Sequence, residues 1–112
     1  MTDCLFCKIV RGEIPAARVA ENAECIAFRD IAPQAPVHVL VIPRTHYRSL
    51  SETPDASVLG AMGEMAKQIA TELGLSETGY RVVVNTGADG GQTVHHLHMH
   101  LLGGRQLKWP PG

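Results

Sequence analysis

The chain has 112 residues, with 10 Lys and Arg against 11 Asp and Glu, and a formal net charge of -1 at pH 7. This length predicts a single domain over residues 1–112 with a modest core and no separate substrate domain. The balanced charge argues against a nucleic-acid or anionic-membrane partner. The first residues lack a signal-peptide pattern, and no apolar run approaches the roughly 20 residues that span a bilayer, so we expect a soluble cytoplasmic protein.

The first half of the chain predicts a short helix and three strands. Apolar residues near the N-terminus have helical spacing, whereas the following segments are rich in β-branched residues or short alternating runs. A turn at Asn22 joins the first two strands into an antiparallel hairpin, and Pro43 closes the third. The predicted elements are a helix over 4–10 and strands over 18–20, 24–29 and 37–42.

The second half predicts one long helix and two strands. Thr53 and Pro54 provide an N-cap hydroxyl and a proline at the first helical position, and Gly74 provides the stop. Between them apolar residues recur at steps of three and four, so we interpret the methionines of this helix as core. Strands over 80–85 and 94–102 follow, joined by a hairpin-type turn over 87–91. The fold class is therefore α+β, with a mainly antiparallel sheet of about five strands.

Two of the three cysteines form the motif Cys4-x-x-Cys7. In an intracellular chain this spacing favours metal or redox chemistry over a structural disulfide. The spacing is not a full ligand set, so a pair of buried thiols is an equally good interpretation. Cys25 lies in an apolar segment, which predicts a buried core thiol.

Four of the six histidines lie within residues 95–100. Because side chains alternate along a strand, His96, His98 and His100 share one face, and His95 and the apolar residues between them point the other way. Those apolar residues argue against an exposed surface strand. Two interpretations stay open: all three imidazoles bind zinc, or the middle one is a nucleophile that its neighbours orient.

The segment Gly90-Gly91-Gln92-Thr93 leads into the histidine run. Its backbone N–H groups, the Gln92 amide and the Thr93 hydroxyl are the kinds of donor that phosphoryl chemistry needs around non-bridging oxygens. A glycine pair alone more often marks only a turn. Its position directly before the histidines favours a phosphate-binding role.

With these residues the chain resembles the histidine triad (HIT) superfamily, and within it the Hint branch of purine nucleoside phosphoramidases. The resemblance covers nearly the full length, and the C-terminal tail narrows it to that branch. The matching motifs are Phe6-x-Lys8-Ile9, Glu13-Ile14-Pro15, Ala27-Phe28-x-Asp30-Ile31, Pro33-Gln34-Ala35-Pro36-x-His38, Val41-Ile42-Pro43-x-x-His46, Asn85-x-Gly87, Gly90-Gly91-Gln92, His96-x-His98-x-His100-Leu101-Leu102-Gly103-Gly104-Arg105 and Trp109-Pro110-Pro111-Gly112.

The resemblance implies a HIT-like fold and hydrolysis of nucleoside 5′-phosphoramidates. His98 would attack the α-phosphorus, the amine would leave, and water would convert the nucleotidyl-histidine to a nucleoside monophosphate such as AMP. His100 and His38 would position groups and relay protons, and His96 would orient the segment. The implied nucleotide contacts are Asp30 for the ribose hydroxyls, Asn85, Gln92 and Thr93 for phosphate oxygens, and Leu5, Phe6, Ile9, Phe28 and Ile31 for the base.

Resemblance to other members of the superfamily implies a structural zinc site, and the Hint branch implies a homodimer. The zinc ligands would be Cys4, Cys7, His46 and His96, with His95 as the alternative fourth ligand. Two thiolates and two imidazoles close a tetrahedron and leave no position for water, so the metal would be structural. Trp109 would reach toward the partner's site.

Two rival functions remain open from the sequence. The same histidine would serve a dinucleoside polyphosphate hydrolase or nucleotidyl transferase, although the Trp109-Pro110-Pro111-Gly112 tail favours the phosphoramidase. A nucleotide-binding adaptor would show little turnover. Thr93 stands where the Hint branch commonly has serine; it keeps the hydroxyl, and we expect its methyl group to shift rate or leaving-group preference.

Overall fold

The computed structural model describes residues 4–112, and its strands form one five-stranded antiparallel sheet. The strand order is β1-β2-β3-β5-β4, which confirms the predicted α+β fold class. No helix within the described residues is long and apolar enough to cross a membrane. The elements are α1 (Leu5–Val10), β1 (Arg18–Glu21), β2 (Cys25–Arg29), β3 (Val37–Pro43), α2 (Ser57–Glu72), α3 (Leu75–Thr78), β4 (Tyr80–Val83), α4 (Gly87–Gly90) and β5 (Met99–Gly103), with a 3₁₀ helix at Leu50–Glu52.

The β1–β2 hairpin turns at Asn22, as predicted. Asn22 Oδ1 accepts hydrogen bonds from the backbone N–H groups of Glu24 and Cys25, at 2.9 and 2.8 Å, which is how a short polar side chain stabilises a turn. Cys25 is fully buried, as expected for a core thiol. Burial raises the pKa of the Cys25 thiol to about 11, so this cysteine stays protonated and unreactive at neutral pH.

Apolar side chains cover both faces of the central strand β3. Helix α2 packs on one face, where Met62, Met65 and Ile69 are buried as predicted. The short helix α1 packs on the other face, where Phe6 and Ile9 join a smaller apolar cluster. The candidate site is built on this second face, which the long helix leaves free.

Helix α2 begins one turn later than the sequence indicates. Thr53 follows the 3₁₀ helix, and its Oγ1 donates to Leu50 O at 2.9 Å instead of capping α2. Ala56 is the N-cap residue, and Asp55 just before it accepts the N–H of Ser57, the first helical residue, through Oδ1 at 2.8 Å. The predicted stop is confirmed, since Gly74 has φ +76° and ends the helix in a left-handed conformation.

The last two strands are shorter than predicted, and no hairpin turn joins them. β4 ends at Val83 instead of residue 85, and β5 begins at Met99 instead of residue 94. Residues 87–90 form the helical turn α4, and Gly91 follows it at φ +80°. The predicted turn type over 87–91 is therefore wrong, although the two strands do pair antiparallel.

Gln92 explains why the connecting segment leaves the sheet. Its side-chain amide donates to Arg48 O at 2.6 Å and to Val94 O at 3.0 Å, and its Oε1 accepts the Gly87 N–H at 3.1 Å. The bonds with Gly87 N–H and Val94 O satisfy backbone groups that a longer β4–β5 pair would have to use in its ladder. A prediction from local turn propensities cannot include the contact with Arg48, because the two residues are 44 positions apart in the sequence.

Candidate active site and metal cluster

The histidine run alternates between the two sides of the sheet even where it is not a strand. Leu97, Met99 and Leu101 are buried in the core under α2. The ring of Phe6 on α1 contacts the rings of both His96 and His98, with centroids 5.9 and 5.3 Å away. The alternation expected from the sequence therefore extends beyond the N-terminal end of β5.

His98 is buried, and one hydrogen bond fixes its tautomer. Its Nδ1 lies 2.7 Å from the carbonyl oxygen of His96. A carbonyl oxygen only accepts, so Nδ1 carries the proton and Nε2 carries a free lone pair. His98 thus has the protonation pattern that a nucleophilic imidazole requires.

His38 and His100 form a hydrogen-bonded pair with defined proton positions. The backbone N–H of Gln34 donates to His38 Nδ1 at 3.0 Å, which leaves the proton of a neutral His38 on Nε2. His38 Nε2 lies 2.9 Å from His100 Nδ1 and 3.4 Å from Asp30 Oδ2. His38 therefore donates to His100 Nδ1, and the proton of His100 is on Nε2.

Electrostatics keep this pair neutral at pH 7. Burial, reinforced by the neighbouring His98 and His38, lowers the pKa of His100 to about 4. Burial also lowers the pKa of His38, and the Asp30 carboxylate opposes that shift without overcoming it. Each ring therefore has one N–H donor and one lone pair.

A cavity of about 510 Å³ opens beside His98 and His100, between α1, the end of β2 and the segment before the histidines. All five predicted base-wall residues line it, including Ile31, which is fully exposed beside it. The complete lining is Leu5, Phe6, Ile9, Ile14, Pro15, Ala16, Ala17, Phe28, Arg29, Asp30, Ile31, Leu40, Thr93, Val94, His98 and His100. An apolar slot that ends in two imidazoles suits a flat ring attached to a polar, reactive group.

Of the other predicted nucleotide contacts, Asp30 and Thr93 are in this lining, and Asn85, Gln92 and Trp109 are not. Trp109 is 79% exposed, and its ring lies 5.9 Å from the guanidinium carbon of Arg81 on the edge strand β4. Within one chain, the structure thus does not bring Trp109 to the cavity.

Sequence reasoning missed one part of the cavity wall, the segment 14–17 between α1 and β1. The signal was available in Ile14-Pro15-Ala16-Ala17, because a proline after a helix followed by small residues gives an extended segment that leaves space beside it. Arg29, Leu40 and Val94 were also missed, and nothing in their local pattern distinguishes them from other residues of predicted strands.

A second group of side chains, which we call the metal cluster because it could hold one ion, consists of Cys4, Cys7, His46 and His96. Their ligand atoms all lie within 4.8 Å of one another. The Nδ1 atoms of His46 and His96 are 3.2 Å apart. The Cys7 Sγ atom lies 3.3 Å from His46 Nδ1, and the Cys4 Sγ atom lies 3.4 Å from His96 Nδ1. These are the four residues predicted for zinc.

The spacing of the metal cluster fits a tetrahedral ion. Bonds of about 2.3 Å to sulfur and about 2.0 Å to nitrogen give tetrahedron edges of about 3.3 Å between nitrogens and about 3.5 Å between nitrogen and sulfur. His96 is fully buried and its Nε2 donates to Pro43 O at 2.9 Å, so its Nδ1 lone pair faces the thiols. His95 is exposed and lies outside the cluster.

The atoms of Asp30, His38 and His100 also lie within 4.8 Å of one another, but their protons argue against a metal. A metal on His38 Nε2 would force the proton of the ring onto Nδ1. That proton would then face the Gln34 N–H, which already donates to Nδ1. This group is therefore better described as a hydrogen-bonded relay.

The model of the HIT domain family matches residues 11–107 of the chain. The chain belongs to the HIT family. An uncharacterized HIT-like protein of Synechococcus elongatus is 56% identical over 112 residues, covering 98% of this chain and 97% of that protein.

Solved HIT structures share the fold throughout. A HIT family hydrolase from Legionella pneumophila has a TM-score of 0.95 and 52% identity, and the match covers 98% of this chain and 100% of that one. A zinc-bound histidine triad family protein from Mycobacterium smegmatis has a TM-score of 0.84 and 34% identity, with 93% and 76% covered. The predicted HIT-like fold is confirmed, and this HIT protein is similar along its length to a HIT hydrolase.

Proposed function

We propose that this HIT protein hydrolyses purine nucleoside 5′-phosphoramidates through a covalent intermediate on His98. The observation that carries the proposal is the free lone pair on His98 Nε2, fixed by the bond from Nδ1 to His96 O, beside a cavity that is apolar at its far wall. Membership in the HIT family and similarity to a HIT hydrolase support a hydrolytic reaction.

The reaction has two steps, and phosphorus changes partners in each. His98 Nε2 forms a bond to the α-phosphorus while the bond from phosphorus to the leaving amine breaks, and the amine takes up a proton. Water then forms a bond to the same phosphorus and releases one proton, which balances the proton taken up by the amine; the bond to His98 breaks, and a nucleoside monophosphate is released. His100 has its proton on Nε2 and can donate a hydrogen bond from it to a phosphoryl oxygen or to the leaving group.

The nucleotide would lie with its base between α1 and β2, and its phosphate beside His98 and His100. Asp30 would accept the ribose hydroxyls, because an ionised carboxylate is an acceptor only. Thr93 and Asn85 would donate to phosphate oxygens. Gln92 would do so only by releasing Arg48 O or Val94 O, since both of its amide protons are already used.

The proposal includes a structural zinc ion held by Cys4, Cys7, His46 and His96. The tetrahedral spacing of these ligands and the zinc-bound relative from Mycobacterium smegmatis support it. When bound, zinc would tie α1, which carries three residues of the base wall, to the segment that carries His98. The chemical steps do not pass through the metal.

The proposal also includes a homodimer formed around the edge strand β4. Tyr80, Val82 and Trp109 expose apolar surface on this side of the molecule. An edge strand with exposed apolar side chains favours pairing with a second chain. In that arrangement Trp109 would extend toward the partner's cavity.

An activity assay tests the nucleophile. Adenosine 5′-phosphoramidate and a diadenosine polyphosphate are incubated with the wild type, with His98→Ala and with His95→Ala, a matched control whose exposed ring lies outside both clusters. We expect AMP release from the phosphoramidate, a loss of at least about 10³-fold in His98→Ala, and no loss in His95→Ala.

Intact-protein mass spectrometry should show a nucleotidyl adduct that maps to His98. Equal turnover by His98→Ala would refute the mechanism. Faster cleavage of the dinucleotide would favour a polyphosphate hydrolase, and AMP binding without any turnover would favour the adaptor.

A further inference from the structure

Arg105 lies outside the cavity but contacts the loop of residues 30–36, which we call the Asp30 loop. Its Nη2 donates to the backbone oxygen of Gln34 at 2.8 Å, across 71 positions of sequence. The preceding residue also docks here: Gly104 has φ +90°, and a Cβ at that position would lie 2.9 Å from Pro36 Cβ. The segment after β5 is therefore fitted closely against the Asp30 loop.

The Asp30 loop decides where the protons of the histidine pair lie. Gln34 uses its backbone oxygen for Arg105 and its backbone N–H for His38 Nδ1. Because that N–H occupies Nδ1, His38 holds its proton on Nε2 and donates it to His100. Asp30 belongs to the same loop, and its own N–H donates to His38 O at 3.0 Å.

We infer that Arg105 is a positioning residue that selects the tautomer of His38 and His100 by clamping Gln34. Its guanidinium does not reach the cavity, and it acts on the site through one backbone residue. Its consequence for turnover rests on the proposed function; its effect on the tautomer does not.

Loss of the clamp has a specific chemical consequence. When Gln34 moves away, the Asp30 carboxylate, 3.4 Å from Nε2, still favours a proton there, but a fraction of His38 rings can hold the proton on Nδ1 instead. In that fraction, Nε2 presents a lone pair to His100. To keep the hydrogen bond, His100 then donates from Nδ1, and its Nε2 is left without a proton. The group that faces the substrate changes from a donor to an acceptor, while the loop and the fold persist.

The test is a ¹⁵N NMR measurement of the imidazole tautomers in the wild type, Arg105→Met and Arg105→Lys. We expect His38 and His100 to be protonated on Nε2 in the wild type, to become mixtures of tautomers in Arg105→Met, and to return to Nε2 in Arg105→Lys, whose ammonium also donates to a backbone oxygen. Arg44→Met is the matched control, because Arg44 likewise donates to a backbone oxygen, that of Asn22, at 2.8 Å, on the distant hairpin.

Kinetics and thermal melting complete the experiment. We expect Arg105→Met to lower kcat about 10-fold or more with little change in KM, and Arg44→Met to change neither. A single Nε2 tautomer in Arg105→Met would overturn the inference, whether or not activity falls. A low melting temperature together with an unchanged tautomer would show a purely structural role and would also overturn it. A tautomer change in a protein inactive toward every nucleotide would support the inference and refute the proposed function.

Discussion

Two groups of histidines share the segment 96–100 and use their rings in opposite ways. In the metal cluster, the Nδ1 atoms of His46 and His96 face each other at 3.2 Å. In the candidate active site, His38 and His100 lie 2.9 Å apart as donor and acceptor. The distances are similar, so distance alone does not distinguish a ligand set from a proton relay.

The bonds on the far side of each ring make the difference. His96 donates from Nε2 to Pro43 O, which leaves Nδ1 as a lone pair for a cation. His38 accepts from Gln34 N at Nδ1, which leaves Nε2 with its proton for another histidine. The backbone partners of His96 and His38 therefore assign the chemistry of the other nitrogen in each of these two rings.

The largest effect that separates the two clusters should come from removing the metal. At a metal concentration about 1,000 times the dissociation constant, binding stabilises the folded state by about 4 kcal/mol. We expect Cys7→Ser, or chelation of the wild type, to lower the free energy of unfolding by about that amount while His98 keeps its Nδ1–H tautomer. Denaturant unfolding measures the free energy, ¹⁵N NMR measures the His98 tautomer, and metal analysis shows that the ion has been removed.

Cys25→Ala is the control for this experiment, since its thiol is buried away from the metal cluster. It should retain about one zinc per chain. A wild type without bound metal, unfolding at the same denaturant concentration as Cys7→Ser, would contradict the zinc assignment.

The next effect concerns pH and involves His100. In the unfolded chain this ring titrates near pH 6.5, whereas burial lowers its pKa to about 4 in the folded protein. Between these values the unfolded state binds more protons, so stability falls as the pH falls. After allowance for solvent screening of a half-buried ring, the loss attributable to His100 is on the order of 2 kcal/mol.

Denaturant unfolding from pH 7 to 4 tests this, with His100→Asn compared with the wild type. We expect a shallower pH dependence in His100→Asn and an unchanged one in His95→Asn. An equally steep loss in His100→Asn would show that other groups dominate the acid sensitivity.

The smallest effect should come from Phe6, which contacts both clusters. Its ring meets those of His96, His98 and Phe28 edge-on, with centroids between 5.3 and 5.9 Å away. We expect Phe6→Leu to cost about 1–2 kcal/mol of stability and to weaken AMP binding, because it removes aromatic contacts and part of the base wall. Metal content should stay the same.

Calorimetry with AMP, denaturant unfolding and metal analysis measure these changes, with Leu59→Ala as the control, a truncation of a partly buried residue in the core cluster on the other face of the sheet. Loss of metal in Phe6→Leu would show that the two clusters form one unit. Unchanged AMP binding would place the base elsewhere.

Much of the fold could be predicted from local sequence patterns. The Asn22 hairpin, strand β3 and the stop at Gly74 follow from turn chemistry, β-branched runs and a glycine in the left-handed region. The errors fall where a distant contact outweighs local preference. The clearest case is Gln92, whose bond to Arg48 O holds its segment out of β5.

By itself, the sequence determined the side on which each residue of the histidine run lies, because alternation is a property of extended backbone. Through its resemblance to the HIT superfamily, the sequence also identified the residues that meet in the two clusters. Only the tertiary structure decided which nitrogen of each ring carries a proton. That choice depends on pairs such as His38 and His100, 62 positions apart, and on backbone atoms of Pro43 and Gln34 that no sequence pattern assigns to a histidine.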